Sequence, residues 1–313
     1  MLEKQRSQIL LDREEEWRLK SRAIWLLAGD ENTKKFHNFA KGRRTMNTIW
    51  NLKDEEGREA NTFESLSNMG RNHFQNLFSE QREPTLAEVM KTTQSFPRYV
   101  EEEEAEGLLG LVTSEEVENV IKSMAEDKSL GPDGWPIEFF QQFFDQIGSE
   151  LTDVVEESRR KGMIYAPFNS TFIALIPKKE VPESFEDFKP ISLCNNVYKI
   201  IAKTIAARLK PILSRCISSG QFGFLDGHQI HEAIGVAQET IHSVKLMKKK
   251  GAVVKIDLSK AYDRISWTYI RMLLTHLGFK IDFINWVMGC ITSVSFAVLI
   301  TGQPLHSSKG KGA

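Results

Sequence analysis

Asp257 is the residue whose type and setting offer the most chemistry. It closes the run Val253-Val254-Lys255-Ile256, whose β-branched residues read as a buried strand over 252–257. A carboxylate at the end of a buried strand presents hard oxygen ligands, the kind that suit Mg²⁺. Taken singly, an Asp in this position more often caps a turn, since Asp is a common turn former. The following Ser259-Lys260-Ala261-Tyr262-Asp263 does turn the chain away. His228, His231 and Glu232 also carry ligating atoms, but their spacing is poor for a metal site. Two basic groups stand elsewhere. Lys178 and Lys179 follow Pro177 directly, and Lys34, Lys35, Lys41, Arg43 and Arg44 are interleaved with Phe36 and Phe39. A basic cluster with aromatics suits a nucleic-acid backbone, and a solvated helix face has the same pattern.

The elements that must position these groups follow from periodicity. Residues 1–45 read as helix with a basic end, and 47–61 as a small hairpin turning at Asp54-Glu55-Glu56-Gly57. Phe63 to Phe78 is expected to be a helix, with Phe63, Leu66, Met69, Phe74 and Phe78 on one stripe. Residues 81–112 hold Pro84, Pro97 and the acidic run Glu101 to Glu104 without a sustained period. They read as a surface connection between a 1–80 extension and a main domain over 113–313. Thr113-Ser-Glu-Glu116 is a capping box before Val117, Val120, Ile121 and Met124. Pro136 opens a helix with Ile137, Phe140, Phe144, Ile147, Leu151 and Val154 on its stripe. Thr171 to Pro177 reads as a buried strand, and Phe188 to Leu193 leads into a helix over 196–210. On that helix Val197, Ile200, Ile201, Ile205 and Leu209 share one face, and Lys199, Lys203 and Lys210 fall within about 40° of one another on the opposite one. A later helix carries Ile230, Ile234, Ala237, Ile241 and Val244 as its expected core stripe. Ser266 caps a helix over 267–277 that Gly278 stops, another helix covers 282–291, and Ser295 to Thr301 reads as a strand.

Composition bounds the class. The 313 residues, 41% of them hydrophobic with 19 Phe and 6 Trp, are enough for a real core in one large domain or two ordinary ones. A net charge of −1 neither demands nor excludes a nucleic-acid partner, so only local charge can argue one. Cys194, Cys216 and Cys290 make no zinc spacing and no disulfide framework, which fits a reducing compartment. No apolar segment has the length of a signal or a membrane span, so the expectation is an intracellular chain without a membrane partner.

Five short elements occur in one order: Gly131-Pro-Asp-Gly134, Ile176-Pro-Lys-Lys179, Phe188-Lys-Pro-Ile-Ser-Leu193, Gln221-Phe-Gly-Phe224, and Lys255-Ile-Asp-Leu-Ser-Lys-Ala-Tyr-Asp263. Each alone is weak; five in register over about 130 residues are not accidental. Together they closely resemble the front half of the reverse transcriptase domain of non-LTR (LINE-type) retrotransposons, especially those of plants. Arg22 to His37 also resembles the segment that precedes the polymerase domain in those elements. Another possibility, a group II intron maturase relative, shares the finger motifs but would not carry that segment.

The resemblance implies an α+β fold, with helix-rich fingers and part of a palm whose strands include 252–257 and 295–301. It implies RNA-directed DNA polymerisation, with an RNA template, a DNA primer and dNTPs as partners, Mg²⁺ as cofactor, and the nucleus as location. Asp257 matches the first catalytic carboxylate, a ligand of the metal pair that activates the primer hydroxyl and neutralises the leaving group, with the Leu258 carbonyl as an accompanying ligand. Tyr262 matches the bulky residue that closes the sugar pocket; without the family it reads as core packing. Lys178 or Lys179 and Lys189 match basic finger positions near the triphosphate, and Gln221 and Phe224 a segment near the template base and nucleotide. His228 stands where relatives usually carry Arg, and so does Lys189, which keeps charge but loses a bidentate phosphate grip. The sequence stops at Lys309-Gly-Lys-Gly-Ala313, ahead of the family's Arg-Gly-x-Arg-Gln-Gly segment and aromatic-Ala-Asp-Asp hairpin, and contains no Asp-Asp pair. The upstream endonuclease domain is also missing. The expectation is therefore a polymerase fragment inactive alone, with a non-catalytic nucleic-acid-binding remnant as the rival.

Overall fold

The computed structural model describes residues 41–42, 48–54, 56–78, 84–218, 220–221, 229–248, 250–256, 265–304 and 308–309. The expected basic helix over 1–45 lies almost wholly outside them. A hairpin of β1 (Leu52–Lys53) and β2 (Glu59–Ala60) turns where Gly57 N donates to Asp54 O at 3.0 Å, with Gly57 at φ 80°, a conformation a side chain would strain. It leads into α1 (Phe63–Phe78). Residues 84–112 hold more structure than their missing period foretold: α2 (Leu86–Thr93) and α3 (Glu102–Gly107), with Val89, Val100, Ala105, Leu108 and Val112 buried.

A helical core follows, built from α4 (Ser114–Lys122), α5 (Ile137–Gln142), α6 (Phe144–Lys161) and α7 (Asn196–Cys216). The single helix expected from Pro136 is broken at Phe143 (φ −106°, ψ 16°), so the buried stripe restarts as Gly148, Leu151, Val155 and Ser158. α7 buries Ile200, Ile201, Thr204, Ile205 and Ile212, and it runs through Pro211 to Cys216, six residues past the expected end at 210. Two C-terminal helices, α9 (Trp267–Leu277) and α10 (Ile281–Thr292), complete this core. Ser266 Oγ accepts from Tyr269 N at 3.0 Å and Gly278 closes α9 at φ 104°, as the sequence foretold. Phe283, Ile284 and Trp286 of α10 are fully buried, and each such side chain contributes about 1.5–3 kcal/mol.

The second core lies on one face of a sheet ordered β4-β3-β5-β6, from β3 (Ser170–Pro177), β4 (Phe188–Cys194), β5 (Ser295–Ile300) and β6 (Gln303–Pro304), with β7 (Ser308–Lys309) also on β5. β4 runs antiparallel to β3 and β5 parallel to it. β4 contains Pro190, which has no N–H to give, and the edge place it occupies is where a strand tolerates that. Thr171, Ile173 and Leu175 point to the buried face with Val298 and Ile300. The hairpin and α1 cover that face, Phe78 stacking on Phe296 at 5.2 Å.

Two sequence expectations fail here. Residues 251–256 form no strand, and Val253, Val254 and Ile256 are about four-fifths exposed (80%, 78% and 79%). β5 already has β3 on one side and β6 and β7 on the other, so no edge beside it is vacant for them. Likewise α8 (Ile230–Leu246) is a helix but buries no residue, and Ile230, Ile234 and Ile241 of its expected core stripe are exposed. No helix among the described residues is long and apolar enough to cross a membrane.

Candidate functional site

The register Ile176↔Lys189 fixes the arrangement of the expected basic groups. Paired residues share a face, and strands alternate with period two, so Lys178 joins Ile176 and Lys189 on the face turned away from the sheet core. That geometry puts Lys178 diagonal to Lys189, about 7–8 Å away. This face is open at its β3–β4 end: Ile176 is 43% and Ile191 37% exposed. Lys178 N extends the ladder to Asp187 O at 2.7 Å, and its Nζ donates to Glu186 O at 2.7 Å. Lys189 is exposed and makes no ion pair among the described residues.

Lys179 takes a different part. Its Nζ lies 3.0 Å from Asp187 and 3.7 Å from Glu183, on the turn before β4. The hydrogen bond to Asp187 holds the Lys179 ammonium above its ordinary pKa. Asp187 in turn is held below the usual carboxylate range, first by the Glu183 N–H it accepts at 2.8 Å. Lys179 thus braces the β3–β4 connection, while Lys178 and Lys189 face outward. Gln221 is exposed in a turn where its N–H donates to Ser218 O. Phe224, His228, Asp257, Leu258 and Tyr262 lie outside the described residues, as does most of the Asp257 segment. Among the described residues, no three His, Cys, Asp or Glu converge to hold a metal.

Two asparagines at the start of α7 tie this face to the Gly131–Gly134 turn, and sequence reasoning passed over both. Asn195 is 2% exposed; its Oδ1 accepts from Asp133 N at 3.1 Å and its Nδ2 donates to Pro167 O at 3.0 Å. Asn196 Nδ2 donates to Trp135 O at 2.8 Å. A Cβ on Gly131 would stand 2.6 Å from Asn195 N, so only glycine allows the approach. The signal was present, because an Asn pair ahead of a helix is a capping type. Here Asn195 makes no side-chain cap bond and spends its amide on the turn. On the other side of α7, Tyr198 donates to Cys290 O at 3.4 Å, and burial pushes its hydroxyl well above the usual tyrosine range.

The chain matches the family described as Reverse transcriptase (RNA-dependent DNA polymerase) over residues 176–309. That segment is similar to the reverse transcriptase family. It begins at the end of β3 and takes in Lys178, Lys179, Lys189, α7 and β5, as well as Asp257. The chain is also 27% identical, over 93% of its length, to the uncharacterized 149 kDa protein of transposon TX1 from Xenopus laevis. It is 27% identical over 68% of its length to a probable RNA-directed DNA polymerase from transposon BS of Drosophila melanogaster. A Pol polyprotein of the type-1 retrotransposable element R2 from Popillia japonica is 21% identical over 45% of the chain. The chain spans only 22%, 23% and 19% of these three relatives. The likeness is to reverse transcriptases of non-LTR transposons, as the ordered motifs implied, and the mixed helices and sheet are the α+β fold expected of such a domain.

Proposed function

We propose that this chain supplies the fingers and the front of the palm of an RNA-directed DNA polymerase of a non-LTR retroelement, acting on an RNA template, a DNA primer and dNTPs in the nucleus. The observation that carries the proposal is the open sheet face, where Lys178 and Lys189 stand side by side within the family-matched segment. Two lysines at diagonal positions of neighbouring strands, on a half-apolar surface, are suited to a polyphosphate, each as a point charge. Lys179, committed to Asp187, steadies the strand connection beneath them. Gln221, Phe224, His228 and Tyr262 complete the proposed nucleotide set, with Tyr262 against the sugar. The Asp257 carboxylate and the Leu258 carbonyl are oxygen donors of the kind Mg²⁺ prefers and would hold it. Bound there, the ion supplies positive charge for phosphoryl transfer. Residues 1–80 would form an extension ahead of the polymerase part from 113.

The test is primer extension on an RNA template with Mg²⁺. The 313 residues alone hold one carboxylate in the family's metal position and are expected not to extend a primer. Joined to the following portion of a close relative, the chain should extend it, and Asp257→Asn should lower the rate by several orders of magnitude, because a charged ligand is lost at the reacting centre. Near-normal extension by that variant refutes the assignment.

A further inference from the structure

Trp135, Phe139 and Phe143 form a row of rings on the surface directly after the Gly131–Gly134 turn. Trp135 is 50% and Phe143 41% exposed, with Phe139 half-buried between them. Ring centroids are 4.5 Å apart from Trp135 to Phe139 and 5.2 Å from Phe139 to Phe143, both pairs tilted at 40°. Of the three, only Phe139 lies within α5; Trp135 stands just ahead of its cap Pro136 and Phe143 closes it, and the ring distances set the three in one row. Apolar rings left at the surface in a row mark a place of contact more often than chance exposure of single residues does.

What lies beside the row identifies the partner. Asn196 Nδ2, at 2.8 Å from Trp135 O, pins the head of the row to the first turn of α7. Lys199 and Lys203 follow Asn196 within about 60° on the helix wheel, rising about 6 Å from one to the next. Neither lysine makes an ion pair among the described residues. Flat rings joined to a row of cations fit a ligand that offers both exposed π-faces and regular negative charge. Single-stranded nucleic acid does so; a duplex keeps its base faces stacked inside, and an apolar protein surface has no use for the lysines. We propose that Trp135, Phe139 and Phe143 are a stacking ledge for the bases of a single strand, whose phosphates run along Lys199 and Lys203. This deepens the polymerase reading, on which it rests, by assigning the unpaired template strand a path outside the Lys178–Lys189 face.

The experiment is equilibrium binding of the intact 313-residue chain to labelled oligouridylate RNA and to a blunt RNA–DNA duplex, with a salt titration. Trp135→Ala is expected to weaken single-strand binding by about five- to hundredfold while duplex binding stays within about twofold, and Trp135→Phe to restore most of it. Lys199→Gln with Lys203→Gln should reduce the slope of log K against log salt by about 1.4 on the single strand. Because a variant can lose its fold, crosslinking of 4-thiouridine RNA to the parent chain is measured as well; the modified peptide should contain residues 135–143. Single-strand binding unchanged in Trp135→Ala, an equal loss on duplex, or crosslinks only elsewhere overturns the ledge. Those outcomes leave the polymerase reading standing, since primer extension with Asp257→Asn decides that separately.

Discussion

Arg208 grips Glu116 across 92 residues of chain, with Nε 2.7 Å from one carboxylate oxygen and Nη2 2.8 Å from the other. The remaining donors are also engaged: Nη1 reaches Leu108 O at 2.9 Å and Gly110 O at 2.8 Å, and Nη2 reaches Leu111 O at 3.2 Å. The guanidinium lies 5.6 Å from the Trp286 ring centroid. One side chain therefore joins α4, α7, α10 and the 108–111 loop. Glu116 was expected to complete a capping box; Thr113 Oγ1 does accept from Glu116 N at 3.2 Å, but the carboxylate is taken by Arg208. Arg208→Met is expected to lower stability by about 3 kcal/mol, as loss of one partner of a largely buried pair does. Arg208→Lys should recover little, because an ammonium cannot replace the planar fork. Urea midpoints measure both, and a Lys variant as stable as the parent would show that the fork geometry is unimportant.

Gly131→Ala tests the docking of the motif turn on α7. The new methyl would meet Asn195 N, Asn195 Oδ1 and Cys194 C, each 2.6 Å away, so backbone has to move. Asn195→Ala leaves the Asp133 N–H without its acceptor at a cost of about 1–3 kcal/mol. The two changes act on one contact, so the double variant should lose clearly less than the sum of the single losses. Fully additive losses would separate the turn from the helix.

Stability should also fall in acid through Glu156. Its carboxylate is held below the usual glutamate range, first by the hydrogen bond from Arg159 and also by Val112 N at 3.1 Å, against the opposing effect of burial. A depressed pKa contributes stability that is fully present above the unfolded value, about 4.3, and is lost as pH falls through the lower folded value. Glu156→Gln is therefore expected to be less stable than the parent at neutral pH and to approach it below about pH 4. Denaturation midpoints across that range check it, and a constant gap at every pH counts against the assignment.

Cys290 offers a chemical readout of the helical core. It is buried, and burial pushes its thiol up to about 12, so almost none of it is thiolate at neutral pH. Cys194 and Cys216 are only half-buried. Alkylation of the folded chain should spare Cys290 until denaturant is added, and mass mapping of the labelled peptides reports it directly. Fast native labelling of Cys290 would mean that α10 does not pack as described.

How much was legible depended on whether a signal was local. α9 could be read because Ser266 and Gly278 carry their own capping chemistry. The hairpin could be read from Asp54 and Gly57, and α4 from Thr113 and its apolar spacing. β4 escaped because Pro190 argues against a strand, and only its edge place in the sheet permits it. α2 and α3 escaped because each is too short to repeat a stripe; α3 buries Ala105 alone. Within the candidate site, Lys178 and Lys189 are named by the motif resemblance alone. That Lys179 is diverted to Asp187 depends on the fold of the 183–187 turn, which no spacing encodes.

The run Val253 to Ile256, whose residue types read as a buried strand, forms none. Val253, Val254 and Ile256 are exposed, and so are Ile230, Ile234, Val236, Ile241 and Leu246 of the neighbouring helix. The two segments do meet, since a Cβ on Gly251 would lie 3.3 Å from Val244. Their apolar side chains nevertheless stand in water, unlike the expected core stripe. Burying each is worth about 1.5–3 kcal/mol, so surface of this kind favours association of chains. The purified 313-residue chain is expected to bind the dye ANS in its native state and to associate as concentration rises. Val253→Lys with Ile256→Lys should reduce both without lowering the urea midpoint, because neither side chain contributes to a core. A large loss of stability in that variant would show instead that these residues are packed.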